Sequence, residues 1–470
     1  MNLLHINNFA EPLGGAEIYM YQLMEELGRR GHRAGLFAGS ENKEESTPVR
    51  RVVKRPAFQT ANLIDDEALL EAFAKFTTDF QPDLIHVHNC SHLPPSLVYA
   101  IGRLGIPAMM TVHDGSPVCT NSWLVYGDGT PCSGGIGGKC LKHGCEKNYP
   151  FDGRVLVSSQ VRARAIRQSF DAFVAPSRFL CERMSEHGFR KVSQLPYWIE
   201  PKPEQIEAPR FADRDPGLVI FLGRPAREKG IDYLLRAWKT VLAARPEARL
   251  EVIGSLPEDE GPELIALARE LGLDADAIFR GRVEHAEVAA IQARASVQVV
   301  PSIWGENHPV SIYECYTAGL PVVGSAIGGI GELVREGETG LLARPRDPEH
   351  LASRLLELLG DPALGERLSE GCRASAEAYS KAKHFERLLP IYEDLTSNRE
   401  RYLSEREDLD DGDVPLLDTL FEKYDELENW ATGMYDHIQW LERQGGSRAT
   451  VSNMKKFLRV KLSRRGDRKS

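Results

Sequence analysis

Two glutamates eight positions apart, Glu306 and Glu314, stand in the run WGENHPVSIYECYTAGLPVVGS (304–325). The run reads as a strand end, a loop, a helix and the next strand. Glu306 then falls in the loop and Glu314 about one turn into the helix, so both carboxylates face the mouth of a parallel sheet, where open α/β folds bind ligands. Pro309 suits the first turn of that helix. The free N–H groups and the positive dipole end there favour a diphosphate. A carboxylate one turn deeper is placed to accept hydrogen bonds from ribose hydroxyls. Taken singly, Glu306 is equally a capping or solvated loop residue and Glu314 a surface helix position; the specificity lies in the whole string.

Other residues add to this. EPLGGAEIYM (11–20) puts Gly14 and Gly15 between a first strand and a first helix, where glycine lets the backbone approach a ligand closely. Glu17 complements that helix's N-terminus. TVHDG (111–115) ends another strand with His113 and Asp114, and HVHN carries His86 and His88, which read more readily as core histidines than as site residues. Cys119, Cys132, Cys140 and Cys145 fall within 27 residues of a glycine-rich stretch, 118–150, with little core of its own. Four thiolates could order it round a tetrahedral zinc ion, with His143 as a substitute ligand. The spacing is not that of two C-x2-C pairs, so a reduced, mobile loop and an iron–sulfur cluster stay open. Cys90, Cys181, Cys315 and Cys372 are isolated and read as core.

The elements that must position these residues alternate. Candidate strands at 2–7, 33–39, 83–89, 107–113 and 172–177 are nearly continuous apolar runs, as suits strands covered on both faces. A second series follows at 217–223, 249–254, 277–281, 297–302 and 320–325. Helical patterns separate them, as at 16–31, where Tyr19, Leu23 and Leu27 recur and Gly31 suits a C-cap, and at 229–244. This predicts an α/β protein of two Rossmann-like units: residues 1–197 with the cysteine insertion 118–150, a proline-rich linker 198–216, and 217–378. A helix at 379–397 is expected to pack back on the first unit.

Beyond it, 398–470 reads as a helical extension. Leucines and other apolar residues from Leu417 to Leu441 follow a heptad stripe, so 414–443 is either a coiled coil that pairs two chains or a helix on the protein's own surface. The segment 454–470 carries eight Lys or Arg and one Asp. It is either a basic helix on an anionic membrane surface or a solvated tail. The chain has 470 residues, a net charge of −10, 42% hydrophobic and 27% charged residues, which fits a globular protein that is no general nucleic-acid binder. No leader peptide and no long apolar run is seen, so a cytoplasmic protein, peripheral at most to the inner face of the membrane, is expected.

The string 304–325, with GGIGELVREGETGLL (328–342) and FLGRPAREKGIDYLLRAW (221–238), resembles glycosyltransferase family 4, the retaining enzymes of GT-B fold with an E-x7-E signature. The likeness covers roughly 1–397, is most specific in 221–342, and extends to bacterial members with a cysteine-bearing insertion after the HD pair. It implies two facing Rossmann-like domains, donor on the second and acceptor on the first. It implies that Arg224 and Lys229 clamp the donor phosphates and stabilise the leaving charge. Gly15, Gly223, Gly254, Val283, Glu306, Asn307, His308, Pro309, Val310 and Glu314 are implied at the donor, and Gly14, His113 and Asp114 at the acceptor. His113 is implied to face the transferred sugar as a neutral imidazole. Glu306 orients that sugar, while the donor's own phosphate oxygen takes the acceptor proton. No DxD-type pair stands where a catalytic Mg²⁺ would sit, so no cofactor is expected for catalysis.

The expected activity is therefore sugar transfer from a nucleotide-sugar, UDP favoured and GDP open, to a saccharide or lipid-linked saccharide of surface polysaccharide or glycoconjugate synthesis. A nucleotide-sugar epimerase or phosphorylase of the same fold is the near rival. A non-catalytic scaffold is the distant one, disfavoured by the retention of Arg224, Lys229, Glu306 and Glu314 together.

Overall fold

The structure is a computed structural model that describes residues 1–12, 14–54, 66–147, 153–199 and 209–406. In the first domain β1 (Asn2–Phe9), β2 (Arg33–Ser40), β5 (Leu84–Val87), β6 (Ala108–Thr111) and β7 (Ala172–Ala175) form the sheet interior. β3 (Glu45–Thr47), β4 (Arg50–Lys54) and β8 (Val192–Gln194) finish its edges in the order β3-β4-β2-β1-β5-β6-β7-β8. All neighbours are parallel except β3 and β4. The second domain orders β9 (Leu218–Leu222), β10 (Arg249–Ile253), β11 (Phe279–Gly281), β12 (Val297–Val300), β13 (Val322–Ser325) and β14 (Gly340–Ala343) as β11-β10-β9-β12-β13-β14, parallel throughout. In both sheets the order reverses beside the first strand, and that switch point opens a crevice at the strands' carboxyl ends. The fold is the two-domain α/β architecture that the resemblance implies.

The interior strands are buried on both faces, which is why they read as nearly continuous apolar runs, interrupted by buried polar residues such as His5, Asn7, His86 and Gln298. β3, β4 and β8 do not: β3 and β8 are short edge strands with one side toward water, and β4, beside β3, is only partly buried. Two boundaries differ from the sequence reading. Ala277 and Ile278 end a helical turn, Ala275–Ile278, because Asp274 caps it by accepting the N–H groups of Asp276 and Ala277. Lys229 precedes its helix: Gly230, at φ 73°, turns the chain from a 3-10 turn, Arg227–Lys229, into helix Ile231–Ala244. That kink carries the Lys229 side chain toward the sheet mouth.

Helix Lys381–Ser397 lies on the first domain's sheet. Its Phe385, Leu388, Tyr392 and Leu395 are fully buried against Leu3, Leu23, Leu84 and Met109. Each such side chain is worth about 1.5–3 kcal/mol of burial. The Tyr19 hydroxyl and His384 Nε2 meet at 3.0 Å, and His384 Nδ1 faces the Pro196 carbonyl at 2.8 Å. Arg406 continues the attachment through a buried ion pair with Asp171 at 2.7 Å. Among the described residues no helix is long and apolar enough to cross a membrane. The segments 414–443 and 454–470, residues 200–208 of the linker, and the end of the cysteine insertion lie outside the described residues.

Candidate active site

The C-terminal wall of the crevice is the β12 loop and the helix after it, Val310–Ala318. Glu306 is 7% exposed, and its Oε1 accepts from Lys229 Nζ at 2.5 Å and Ser302 Oγ at 2.9 Å. The loop is fixed from behind by Gly329, whose N–H donates to the Glu306 carbonyl at 2.7 Å. The Lys229 ammonium also lies 5.1 Å from the centroid of the Trp304 ring. Pro309 is the N-cap of the helix rather than its first residue, so the first main-chain N–H groups of Val310 and its successors open on the crevice. Glu314 is the helix's fifth residue and half-buried. His308 Nδ1 pairs with the Tyr313 hydroxyl at 2.6 Å, and the residue lines the space beside His113.

β9 and β10 supply the floor. Gly254 has φ 148°, and a Cβ there would lie 2.0 Å from the Gly223 carbonyl oxygen, so the two strand ends touch only because position 254 has no side chain. Arg224 leaves this floor with its side chain 57% exposed and pairs with the buried Glu228. Burial pushes the Glu228 carboxyl above its ordinary range, opposed by Arg224. Val283 is half-buried against the apolar cluster behind β9.

The N-terminal wall starts at Gly14, the N-cap of helix Gly15–Arg29. Glu17 Oε2 accepts the Gly14 N–H at 3.0 Å, and its Oε1 accepts from Asn7 at 3.1 Å, so Glu17 serves its own helix end. A Cβ on Gly15 would stand 3.9 Å from Val310 of the other domain. The starts of two helices, one per domain, therefore meet across the crevice, and both present positive dipole ends.

His113 lines a small space of about 100 Å³ together with Asp114, Trp304, Glu306 and Asn307. Its ring nitrogens both have protein neighbours: Nδ1 is 2.6 Å from the Tyr197 hydroxyl and Nε2 is 3.4 Å from His88 Nδ1. His88 Nε2 in turn is 3.0 Å from His5 Nδ1. Burial pushes the His113 imidazole down to about 3, so the ring is neutral at physiological pH. Both nitrogens are thus engaged by neighbouring side chains, Tyr197 and His88. Asp114 accepts the Ser116 N–H at 2.8 Å, and burial raises its carboxyl. His86 is a core residue, held between the Tyr392 and Thr111 hydroxyls at 2.6 and 2.7 Å.

Asn307 does something the sequence did not disclose. Its amide nitrogen donates to the Val112 and His113 carbonyls at 3.1 and 2.9 Å, and its oxygen accepts from Ser177 Oγ at 2.6 Å. A second tie runs through Glu332, which accepts the Arg178 and Phe179 N–H groups at the start of helix Arg178–Glu186. Burial alone would raise the Glu332 carboxyl, but His308 and those N–H groups hold it below its ordinary range. The crevice is therefore closed, and 100 Å³ is below the about 300–1,000 Å³ usual for a ligand pocket.

The cysteine lobe is built on a turn closed by the Val125–Pro131 bridge, with Cys140 and Cys145 packed on Leu156. Burial and the neighbouring thiols Cys132 and Cys140 push Cys119 up to about 12 and Cys145 up to about 11. Their sulfurs do not converge as ligands do: among the described residues, the group whose ligand atoms lie within 4.8 Å of one another is His5, His86 and His88.

A buried carboxylate held by a lysine and two helix starts facing each other, set between two Rossmann-like domains, make up the GT-B architecture that the resemblance implies. Known proteins agree. Profiles described as Glycosyltransferase Family 4 and Glycosyl transferases group 1 match residues 13–202 and 203–375. A D-inositol 3-phosphate glycosyltransferase of Nocardioides sp. is 33% identical over 422 residues, 83% of this chain and 88% of that one. Another, from Thermomonospora curvata, is 27% identical over 81% of this chain and 90% of its own length. Among solved structures, a sucrose-phosphate synthase from Thermosynechococcus elongatus superposes with a TM-score of 0.63 at 22% identity, covering 84% of this chain and all (100%) of that one. Anabaena Alr3699/HepE, solved in complex with UDP, gives 0.61 at 17% identity, covering 83% and 99%. The chain belongs to the glycosyltransferases of family 4 and is a glycosyltransferase.

Proposed function

We propose that the chain moves a sugar from a nucleotide-sugar, UDP favoured over GDP, to a saccharide or lipid-linked saccharide acceptor. The observation that carries this is Lys229 held against Glu306 beside the facing helix starts at Gly15 and Val310. A diphosphate entering there meets N–H groups from two helices and, in Lys229 and Arg224, two cations. UDP is favoured because Anabaena Alr3699/HepE, similar in fold, is seen with UDP and with UDP-glucose.

In this reading the acceptor hydroxyl oxygen bonds to the donor's anomeric carbon as that carbon's bond to the diphosphate oxygen breaks. The electron pair leaves with the nucleoside diphosphate, and the hydroxyl proton passes to a phosphate oxygen. Lys229 turns from Glu306 to the phosphates and stabilises the departing charge with Arg224. Glu306, released, accepts hydrogen bonds from the transferred sugar, and Glu314 accepts them from the ribose. Closure through Asn307 excludes water and protects the donor from hydrolysis.

Calorimetric titration with UDP, GDP, ADP and TDP tests the donor side. UDP binding that is lost in Glu314→Ala supports the reading; no binding by any of the four contradicts it.

The reading includes three further parts, all proposals. A zinc ion orders the cysteine lobe through Cys119, Cys132, Cys140 and Cys145, supported by four thiols gathered in a glycine-rich stretch. The basic segment 454–470 touches an anionic membrane from the cytoplasmic side, and 414–443 pairs two copies.

A further inference from the structure

A second cavity, of about 290 Å³, lies wholly in the first domain and shares Asp114 and Ser122 with the space beside His113. Arg162 lines it, from helix Gly153–Ser169, and is only 8% exposed. Its guanidinium donates to the Leu93 carbonyl at 3.2 Å and to Ser159 Oγ at 3.3 Å. Among the described residues no carboxylate lies within ion-pair distance of it.

Two other arginines with buried side chains, among the described residues, show how unusual that is. Arg214 is surrounded by five main-chain carbonyls, of Gln292, Ala293, Ala295, Ala318 and Gly319. Arg406 has Asp171 and two carbonyls. Arg162 has five N–H donors and two neutral acceptors. A buried cation left so short of partners is costly unless something else supplies them. Burial accordingly pushes the Arg162 guanidinium down to about 10.

Two more donors on the same wall lack acceptors. The Thr120 hydroxyl and the Asn121 amide nitrogen are buried with no hydrogen-bond partner, and Asn121 is 4% exposed. Two donors without acceptors beside a guanidinium with only two neutral ones describe the outline of an absent acceptor group. Asp114, on the same wall, supplies the opposite: a carboxylate that takes hydroxyl hydrogens, at the end nearer His113.

We propose that this cavity binds an anionic saccharide acceptor, its phosphate or carboxylate on Arg162, Thr120 and Asn121 and its hydroxyls on Asp114. This rests on the transferase reading, in which the first domain holds the acceptor.

The test uses the full-length protein saturated with UDP, so that the donor site is filled. Inorganic phosphate, glucose 6-phosphate, glucuronate and glucose are then titrated by calorimetry. The phosphate or carboxylate probes are expected to bind at least about ten-fold more tightly than glucose, the gain of a charge-assisted hydrogen bond. Preference between glucose 6-phosphate and glucuronate tells which anion the site prefers. Arg162→Gln should abolish the advantage and leave UDP affinity unchanged. Should that variant fail to fold, Thr120→Val with Asn121→Leu should reduce the same advantage. Anionic probes that bind no better than glucose to the wild type, or equally well to the variants, overturn the proposal. Failure of UDP to bind at the outset overturns the underlying donor reading instead.

Discussion

The side-chain amide of Asn307, in the second domain, donates to the main-chain carbonyl of His113, in the first, at 2.9 Å. The bond ties the loop that carries Glu306 to the strand end that carries His113. Closure and assembly of the site are thus one event. Asn307→Asp replaces an N–H donor by a carboxylate facing two carbonyls and should favour the open form. We expect kcat/KM to fall by about ten-fold or more, with UDP affinity less affected. Steady-state kinetics beside UDP titration checks this; loss of UDP affinity alone would place Asn307 at the donor instead.

Lys229 and Glu306 neutralise each other before the donor arrives. A diphosphate must draw Lys229 away, and only then is Glu306 free for the sugar. Lys229→Met should lower kcat by about 10²–10³, the usual loss on removing one group that stabilises developing charge. Binding of free UDP should weaken as well. An unchanged kcat at saturating donor would show that Lys229 contributes nothing specific to the leaving charge.

Acid should destabilise the first domain through its buried histidines. Burial lowers His5 and His113 to about 3 and His384 to about 4, and burial with the neighbouring histidines holds His86 and His88 well below the ordinary value of 6.5. Below pH 6.5 the unfolded chain binds protons that the folded chain refuses, so stability falls with pH until the folded values are reached. Each histidine contributes up to about 1.4 kcal/mol per pH unit in that window. The melting temperature should drop steeply from pH 7 to pH 5, and His5→Phe should flatten the slope. A flat profile over that range contradicts buried neutral imidazoles.

Zinc content decides the cysteine lobe. Metal analysis of protein purified without chelator should find about one zinc per chain, lost in Cys132→Ser with Cys145→Ser. Metal-free wild-type protein with an equally stable lobe would contradict the site, as the spread of the sulfurs in this structure makes a direct question.

The sequence made the sheet interiors legible because strands buried on both faces are mostly apolar, as β1 and β12 are apart from buried His5, Asn7, Asn8 and Gln298. It made Glu306, Glu314 and Lys229 legible because each sits at a strand end or helix start, where position alone restricts what a polar residue can do. It did not reveal Asn307 as a bridge, because its partners are carbonyls some 195 and 194 positions away and carbonyls carry no sequence signal. Tyr197 beside His113 was hidden in the same way, at the end of the first unit where the proline-rich linker begins. Arg162 was invisible because an arginine on a helix is ordinarily solvated; only its burial without a carboxylate sets it apart.

The central claim is that this crevice breaks the bond between a sugar and a nucleoside diphosphate. The direct measurement is release of UDP from a panel of UDP-sugars, with GDP-sugars alongside, by the wild type and by Glu306→Gln. The account predicts release from at least one nucleotide-sugar by the wild type, lowered by about 10² or more in the variant. Release by neither protein from any donor, or equal release by both, would contradict it.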